Sequence, residues 1–137
     1  MKHRIALAGT WTRLIMALCW MPSDWLPVQE SKGGGFEIPH FDKVVHAAIF
    51  TVFGLLWLTA WPGRRPYLAV ILAGIGLAGL TEWVQTLPLV GRDGEWLDAA
   101  VDAAGVLLAV PASLGLDRIG EAWQSAVPSD SFTEVQP

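Results

Sequence analysis

Two apolar stretches, VVHAAIFTVFGLLWLTAW at residues 44–61 and YLAVILAGIGLAGLTEWVQTL at residues 67–87, decide the fold of this chain. The first stretch contains no Asp, Glu, Lys or Arg, and the second contains a single one, Glu82. Both are close to the about 20 predominantly apolar residues that a helix needs to cross a bilayer. A short link with Pro, Gly and two arginines separates them. The two stretches therefore predict a pair of antiparallel transmembrane helices.

Two further apolar segments lie on either side of this pair. One covers residues 5–25, and the other covers residues 97–116 and begins with Asp98 and Asp102. The last segment reaches the length of a membrane span only if its acidic start is included. Together the four segments predict an all-α integral membrane bundle of about four transmembrane helices, which forms one domain over residues 1–116.

The composition of the whole chain agrees with a membrane protein. Of its 137 residues, 53% are hydrophobic and 16% are charged, whereas soluble domains carry roughly 25% charged residues. The net charge of −4 argues against a basic nucleic-acid-binding surface, and the single cysteine excludes an intrachain disulfide. Residues 117–137 are polar, and we expect them to form a disordered C-terminal tail.

Basic residues near the helix ends predict the orientation of the bundle. Five of them fall on one side of the membrane and three on the other. The larger group comprises Lys2, Arg4, Arg64, Arg65 and Arg118, and the smaller group comprises Lys32, Lys43 and Arg92. Cytoplasmic loops carry the excess of Lys and Arg. The sequence therefore predicts a multi-pass protein with both termini in the cytoplasm.

The polar residues of the apolar segments fall at the opposite, outer face of the membrane. The set comprises Asp42, Lys43, His46, Glu82, Gln85, Asp98 and Asp102, with Arg92 in the adjoining loop. Residues four apart share a helical face, as Asp42 and His46 do. Small residues such as Gly74 and Gly105 continue these faces, so we expect the polar faces to pack inward. An ionisable cluster within a membrane indicates a functional site.

The chemistry of these side chains gives each a candidate role. His46 and Glu82 are candidates for a general base and a general acid, with Asp98 as a third catalytic candidate. The candidate ligand-binding residues are Asp42, Lys43, Gln85, Arg92 and Asp102. The carboxylates and the histidine suit a metal ion in type but form no dense ligand motif. Metal dependence therefore stays open, and no cofactor is expected.

Structural roles for the same residues are an alternative. His46 would hydrogen bond to Asp42 or to a carboxylate on another helix. Glu82 would form an ion pair with Arg92 or Lys43. In this interpretation the polar cluster joins helices and binds nothing.

The order of these residues resembles the VanZ-like family of small bacterial membrane proteins. Asp42-Lys43-x-x-His46 begins one helix, Glu82-x-x-Gln85 ends the next, and Arg92, Asp98, Asp102 and Gly105 follow. The family is named for a member associated with resistance to the glycopeptide teicoplanin. The resemblance covers residues 21–116, and Asp102 departs from it because the family commonly has Asn there. It implies a role in the bacterial cell envelope, at the cytoplasmic membrane, without supplying a reaction.

Three functions follow as hypotheses. In the first, a polar pocket at the outer leaflet binds an anionic lipid-linked or cell-envelope ligand, with Arg92 and Lys43 at its anionic head. In the second, the chain is a membrane-embedded enzyme that acts on a lipid phosphate or a related bond. In the third, it is a structural or assembly protein. Membrane lipids are expected partners, no nucleic acid is expected, and the oligomeric state is left open.

Overall fold

The computed structural model describes residues 1–22, 41–61, 65–90 and 95–126. These residues form four α-helices and no strand. In chain order the helices are α1 (Lys2–Cys19), α2 (Phe41–Ala60), α3 (Tyr67–Gln85) and α4 (Trp96–Ala126). The prediction of an all-α bundle is confirmed.

Three of the described helices are long and apolar enough to cross a membrane. The three candidate spans are Lys43–Ala60, Tyr67–Gln85 and Trp96–Ala126. Helix α1 is shorter and carries three basic residues, Lys2, Arg4 and Arg13, and it is not one of the three. The apolar helices indicate a membrane-embedded protein.

Helices α2 and α4 share the most extensive contact in the bundle. Glycines allow their backbones to approach closely, as small residues do between transmembrane helices. A Cβ added at Gly105 would meet the carbonyl oxygen of Ala47, and one added at Gly54 would lie 2.5 Å from the Cβ of Ala109. The hydroxyl of Thr51 also donates to the carbonyl oxygen of Gly105, at 2.9 Å. The prediction that the small-residue faces pack inward is confirmed here.

Helix α1 is joined to α2 by two tryptophan side chains. The indole N–H of Trp11 donates to the carbonyl oxygen of Ile49, and that of Trp57 donates to the hydroxyl of Thr12, both at 3.1 Å. A buried indole N–H without a partner is costly, so these bonds define how α1 packs. Both tryptophans also pack against a buried core cluster that includes Ile15 of α1, Phe50 and Phe53 of α2, and single residues of α3 and α4.

Helix α4 continues beyond its predicted end. The sequence predicts that this helix ends at residue 116 and that a disordered tail begins at 117, whereas the helix continues to Ala126. The tail prediction is therefore wrong for residues 117–126, and residues 127–137 lie outside the described part of the chain. Asp117 forms an ion pair with Arg65 beside the start of α3, which holds this part of α4 against the bundle. Pro111 lies inside the helix without ending it.

Candidate functional site

The polar residues lie at the end of the bundle where α2 and α4 begin and α3 ends. This end follows from the alternating direction of the helices. The structure brings together five of the predicted site residues, which are Lys43, His46, Glu82, Asp98 and Asp102. We refer to these five residues as the polar cluster.

His46 and Asp102 form a direct contact between α2 and α4. The Nδ1 atom of His46 lies 3.1 Å from Oδ1 of Asp102. Asp102 is fully buried, and its second oxygen, Oδ2, has no hydrogen-bond partner among the described residues. This contact matches the predicted alternative in which His46 pairs with a carboxylate on another helix. It also orients the imidazole, because a carboxylate on one ring nitrogen determines which way the other nitrogen points.

Lys43 forms the outer edge of the polar cluster. Its ammonium forms ion pairs with Asp98 and with Glu95, the latter at 2.9 Å. The side chains of Lys43 and Asp98 are mostly buried, whereas that of Glu95 is largely exposed. Asp98 also lies in the first turn of α4, where the helix dipole favours a carboxylate. The two acidic residues thus balance a lysine that sits at the start of α2.

Glu82 is the acid of the polar cluster whose carboxylate is least well paired. The residue is 8% exposed, and neither carboxylate oxygen forms a hydrogen bond of ordinary length and angle within the described ranges. The backbone N–H of Glu95 is a donor that acts on the Glu82 carboxylate. The side chains that act on it electrostatically are those of Asp98, Asp102 and His46. Two of these three neighbours are acidic. The structural alternative pairs Glu82 with Arg92 or Lys43. The described ion pairs of Lys43 are with Asp98 and Glu95, and Arg92 lies outside the described residues, so its pairing stays a prediction.

Gln85 takes a different position from the other site residues. Its amide Nε2 donates to the carbonyl oxygen of Cys19, at 3.3 Å. This bond joins the end of α3 to the end of α1, and the Gln85 side chain is buried there. The structure therefore gives Gln85 a contact between helices, one turn beyond Glu82.

Two of the predicted ligand-binding residues are not described at the level of side chains. Arg92 lies outside the described residues, and the backbone of Asp42 belongs to α2 while its side chain is not described. Their roles stay predictions. Glu95 pairs with Lys43 but is not among the residues that the sequence predicts for the site. Its position three residues before Asp98 was the available signal, because residues on successive turns near a helix start face the same neighbour.

The chemistry of the cluster is that of a buried set of hydrogen-bond acceptors. Three carboxylate oxygens, two on Glu82 and one on Asp102, are buried without a partner in the described structure. Leaving such a group unpaired costs about 1–3 kcal/mol, and more when it is charged. Among the described residues, no group of three or more His, Cys, Asp or Glu is placed to hold a metal ion. The arrangement therefore suits a ligand that donates hydrogen bonds through hydroxyl, amide or ammonium groups. No family model, curated protein or solved structure matches this chain.

Proposed function

We propose that this chain is a VanZ-like membrane protein of the bacterial cell envelope, and that its polar cluster binds the head of an anionic lipid-linked or envelope ligand. One observation carries the proposal: three buried carboxylate oxygens without partners, on α3 and α4, lie where three helices meet. The resemblance in residues 21–116 supports the family. The predicted orientation supports a place in the outer leaflet.

The charges of the polar cluster imply a ligand with two chemically different parts. A phosphate placed directly against Glu82 and Asp102 would be repelled by like charge. The part of the ligand inside the cluster therefore carries hydroxyl, amide or ammonium donors. The anionic part is assigned to the predicted Arg92 at the outer edge, because Asp98 and Glu95 already balance the charge of Lys43. A glycosylated or amide-bearing head on a lipid phosphate has both kinds of group.

The test is native mass spectrometry with lipid extraction on the full chain in detergent. The variant is Glu82→Gln, which keeps the shape of the side chain and removes its charge. Glu121→Gln is the matched control, because it makes the same change on an exposed turn of α4 far from the cluster. We expect a polar lipid to copurify with the wild type and the control, and to be lost in Glu82→Gln.

Equal retention of that lipid in both variants contradicts the proposal. An empty wild type, together with a Glu82→Gln variant that unfolds at a lower temperature, favours the structural alternative. Circular dichroism on each sample separates loss of ligand from loss of the fold.

The His46–Asp102 pair favours a second candidate function, an enzyme acting on a lipid phosphate or related bond. A histidine oriented by a buried carboxylate is a common general base, and Glu82 beside it supplies a second proton-transfer group. The purified protein would then turn over a bacterial lipid extract. His46→Ala and Glu82→Gln would each abolish turnover while Glu121→Gln would not. If the folded, ligand-loaded wild type shows no turnover, the enzyme hypothesis is contradicted.

A further inference from the structure

A second feature of the bundle lies in its other half, away from the polar cluster. An apolar groove with a cavity of about 720 Å³ runs between α1, α2 and α3. Aromatic side chains of α2, among them Phe53 and Trp57, line one side of it. Several lining residues of α3, including Gly76 and Leu80, are exposed, so the groove opens to the outside of the bundle.

The groove exists because α3 presents small side chains toward α1. Ala69, Ala73 and Gly76 recur at helical spacing on this face, and α1 contacts α3 only sparsely. From Ala69 to Leu80 the face is about 16 Å long at 1.5 Å per residue. One leaflet contributes about 15 Å to the hydrocarbon core of a bilayer. The groove thus has the length of an acyl chain within one leaflet.

A cation with an unused donor stands at the end of this groove. Arg65 lines it and is 20% exposed. One guanidinium nitrogen, Nη2, pairs with Asp117 on α4, whereas Nη1 is buried and has no hydrogen-bond partner in the described part of the chain. A guanidinium forms its strongest contacts with phosphate or carboxylate oxygens. The groove therefore combines an apolar body with a place for an anionic head.

The groove is separate from the polar cluster. Arg65 precedes α3, and Glu82 lies near the end of that helix, so about 22 Å of helix lies between the two ends. Arg4 reaches the carbonyl oxygen of Thr59 at the same end as Arg65, at 3.2 Å. On the predicted orientation this end faces the cytoplasm, and the groove lies in the inner leaflet.

We propose that the groove binds one membrane lipid with an anionic phosphate head, its acyl chain lying along Ala69, Ala73 and Gly76 and its phosphate on Arg65. This occupant is favoured over an apolar one because Nη1 offers a donor that a hydrocarbon leaves unsatisfied. It is favoured over a zwitterionic lipid because the cationic group of such a head would need a carboxylate near Arg65. The one described carboxylate that pairs with Arg65, that of Asp117, already holds Nη2. The proposal does not depend on the function of the polar cluster.

The groove is tested by filling it. Gly76→Leu places a side chain in the groove, and a Cβ at this position meets no atom within 4 Å, so the fold is retained. Gly79→Leu is the matched control, since Gly79 lies on the same helix, has the same open surroundings and does not line the groove. The full chain is delipidated in detergent and titrated with phosphatidylglycerol or phosphatidylcholine, and binding is followed by native mass spectrometry.

We expect the wild type and Gly79→Leu to bind one phosphatidylglycerol with at least tenfold preference over phosphatidylcholine. Gly76→Leu should weaken that binding at least tenfold. Equal binding by the two leucine variants overturns the proposal and leaves only lipid at the general protein surface. A lipid-free dimer that Gly76→Leu dissociates also overturns it, because a second copy then fills the groove.

The head position is tested with the two partners of the ion pair. Arg65→Gln and Asp117→Asn both break the ion pair, so both variants lose the stability that this pair contributes. Arg65→Gln is expected to abolish the preference for phosphatidylglycerol, whereas Asp117→Asn is expected to keep or strengthen it. Equal effects of the two changes contradict a phosphate on Arg65.

Discussion

At the scale of single residues, the polar cluster is defined by which acids have partners and which do not. Asp98 meets Lys43, and Asp102 uses one oxygen on His46. Glu82 forms no hydrogen bond of ordinary length and angle with a described side chain. The cluster is therefore held together on its α2–α4 side and unsatisfied on its α3 side. A ligand entering the cluster meets a Glu82 carboxylate that still has accepting capacity beyond the nearby backbone N–H of Glu95.

The His46–Asp102 contact is expected to stabilise the bundle measurably. We predict that His46→Ala, Asp102→Ala and the double variant give a coupling free energy of about 1 kcal/mol, since polar contacts between membrane helices average about 0.6 and reach about 1.7 kcal/mol. The measurement is a double-mutant cycle from reversible unfolding in mixed micelles. Additive effects of the two single changes would show that the contact contributes nothing.

At the scale of elements, the packing of α2 on α4 depends on the absence of side chains. Gly105 faces the backbone of Ala47, and Gly54 faces the Cβ of Ala109. On α3, Gly74 leaves room for the side chain of Val106 in the same way. The helices also bring polar groups into register, because the same close approach lets Thr51 reach the Gly105 carbonyl. Close packing and the assembly of the polar cluster are thus consequences of one interface.

Two glycine substitutions are predicted to have opposite effects. Gly105→Ala forces a Cβ onto the Ala47 carbonyl and should destabilise the protein by about 1–3 kcal/mol, as overpacking does. Gly79→Ala meets open space and should be neutral or stabilising by up to about 1 kcal/mol, because alanine favours a helix over glycine. Thermal unfolding in one detergent compares the two variants. A similar loss of stability in both would contradict the close approach at Gly105.

At the scale of the whole molecule, the sequence predicts where the helices lie better than it predicts which side chains pair between them. The two central helices follow from long apolar runs, and their predicted limits lie close to those observed. The extension of α4 was missed because residues 117–126 are polar, and polarity alone does not separate an exposed helix from a tail. The pairing of His46 with Asp102 depends on the register between two helices, which no spacing within one segment records.

The orientation is a property of the whole molecule and has its own test. In a Cys19→Ala background, Glu121→Cys lies on an exposed part of α4 at the predicted cytoplasmic end, and Glu95→Cys lies on the exposed edge of the polar cluster. We predict that a membrane-impermeant maleimide labels Glu95→Cys in intact spheroplasts and labels Glu121→Cys only after permeabilisation. The reverse pattern would place the polar cluster in the inner leaflet.

The most direct test of the polar cluster as a binding site is the thermal unfolding of the full chain in detergent, with and without an envelope lipid extract. A ligand at 100 times its dissociation constant stabilises the folded state by about 2.7 kcal/mol. We predict that the extract raises the midpoint of the wild type and of Glu121→Gln more than that of Glu82→Gln, in which only the groove at Arg65 still binds lipid. An equal rise in all three proteins would show that the lipid acts elsewhere and would contradict the binding role of the polar cluster.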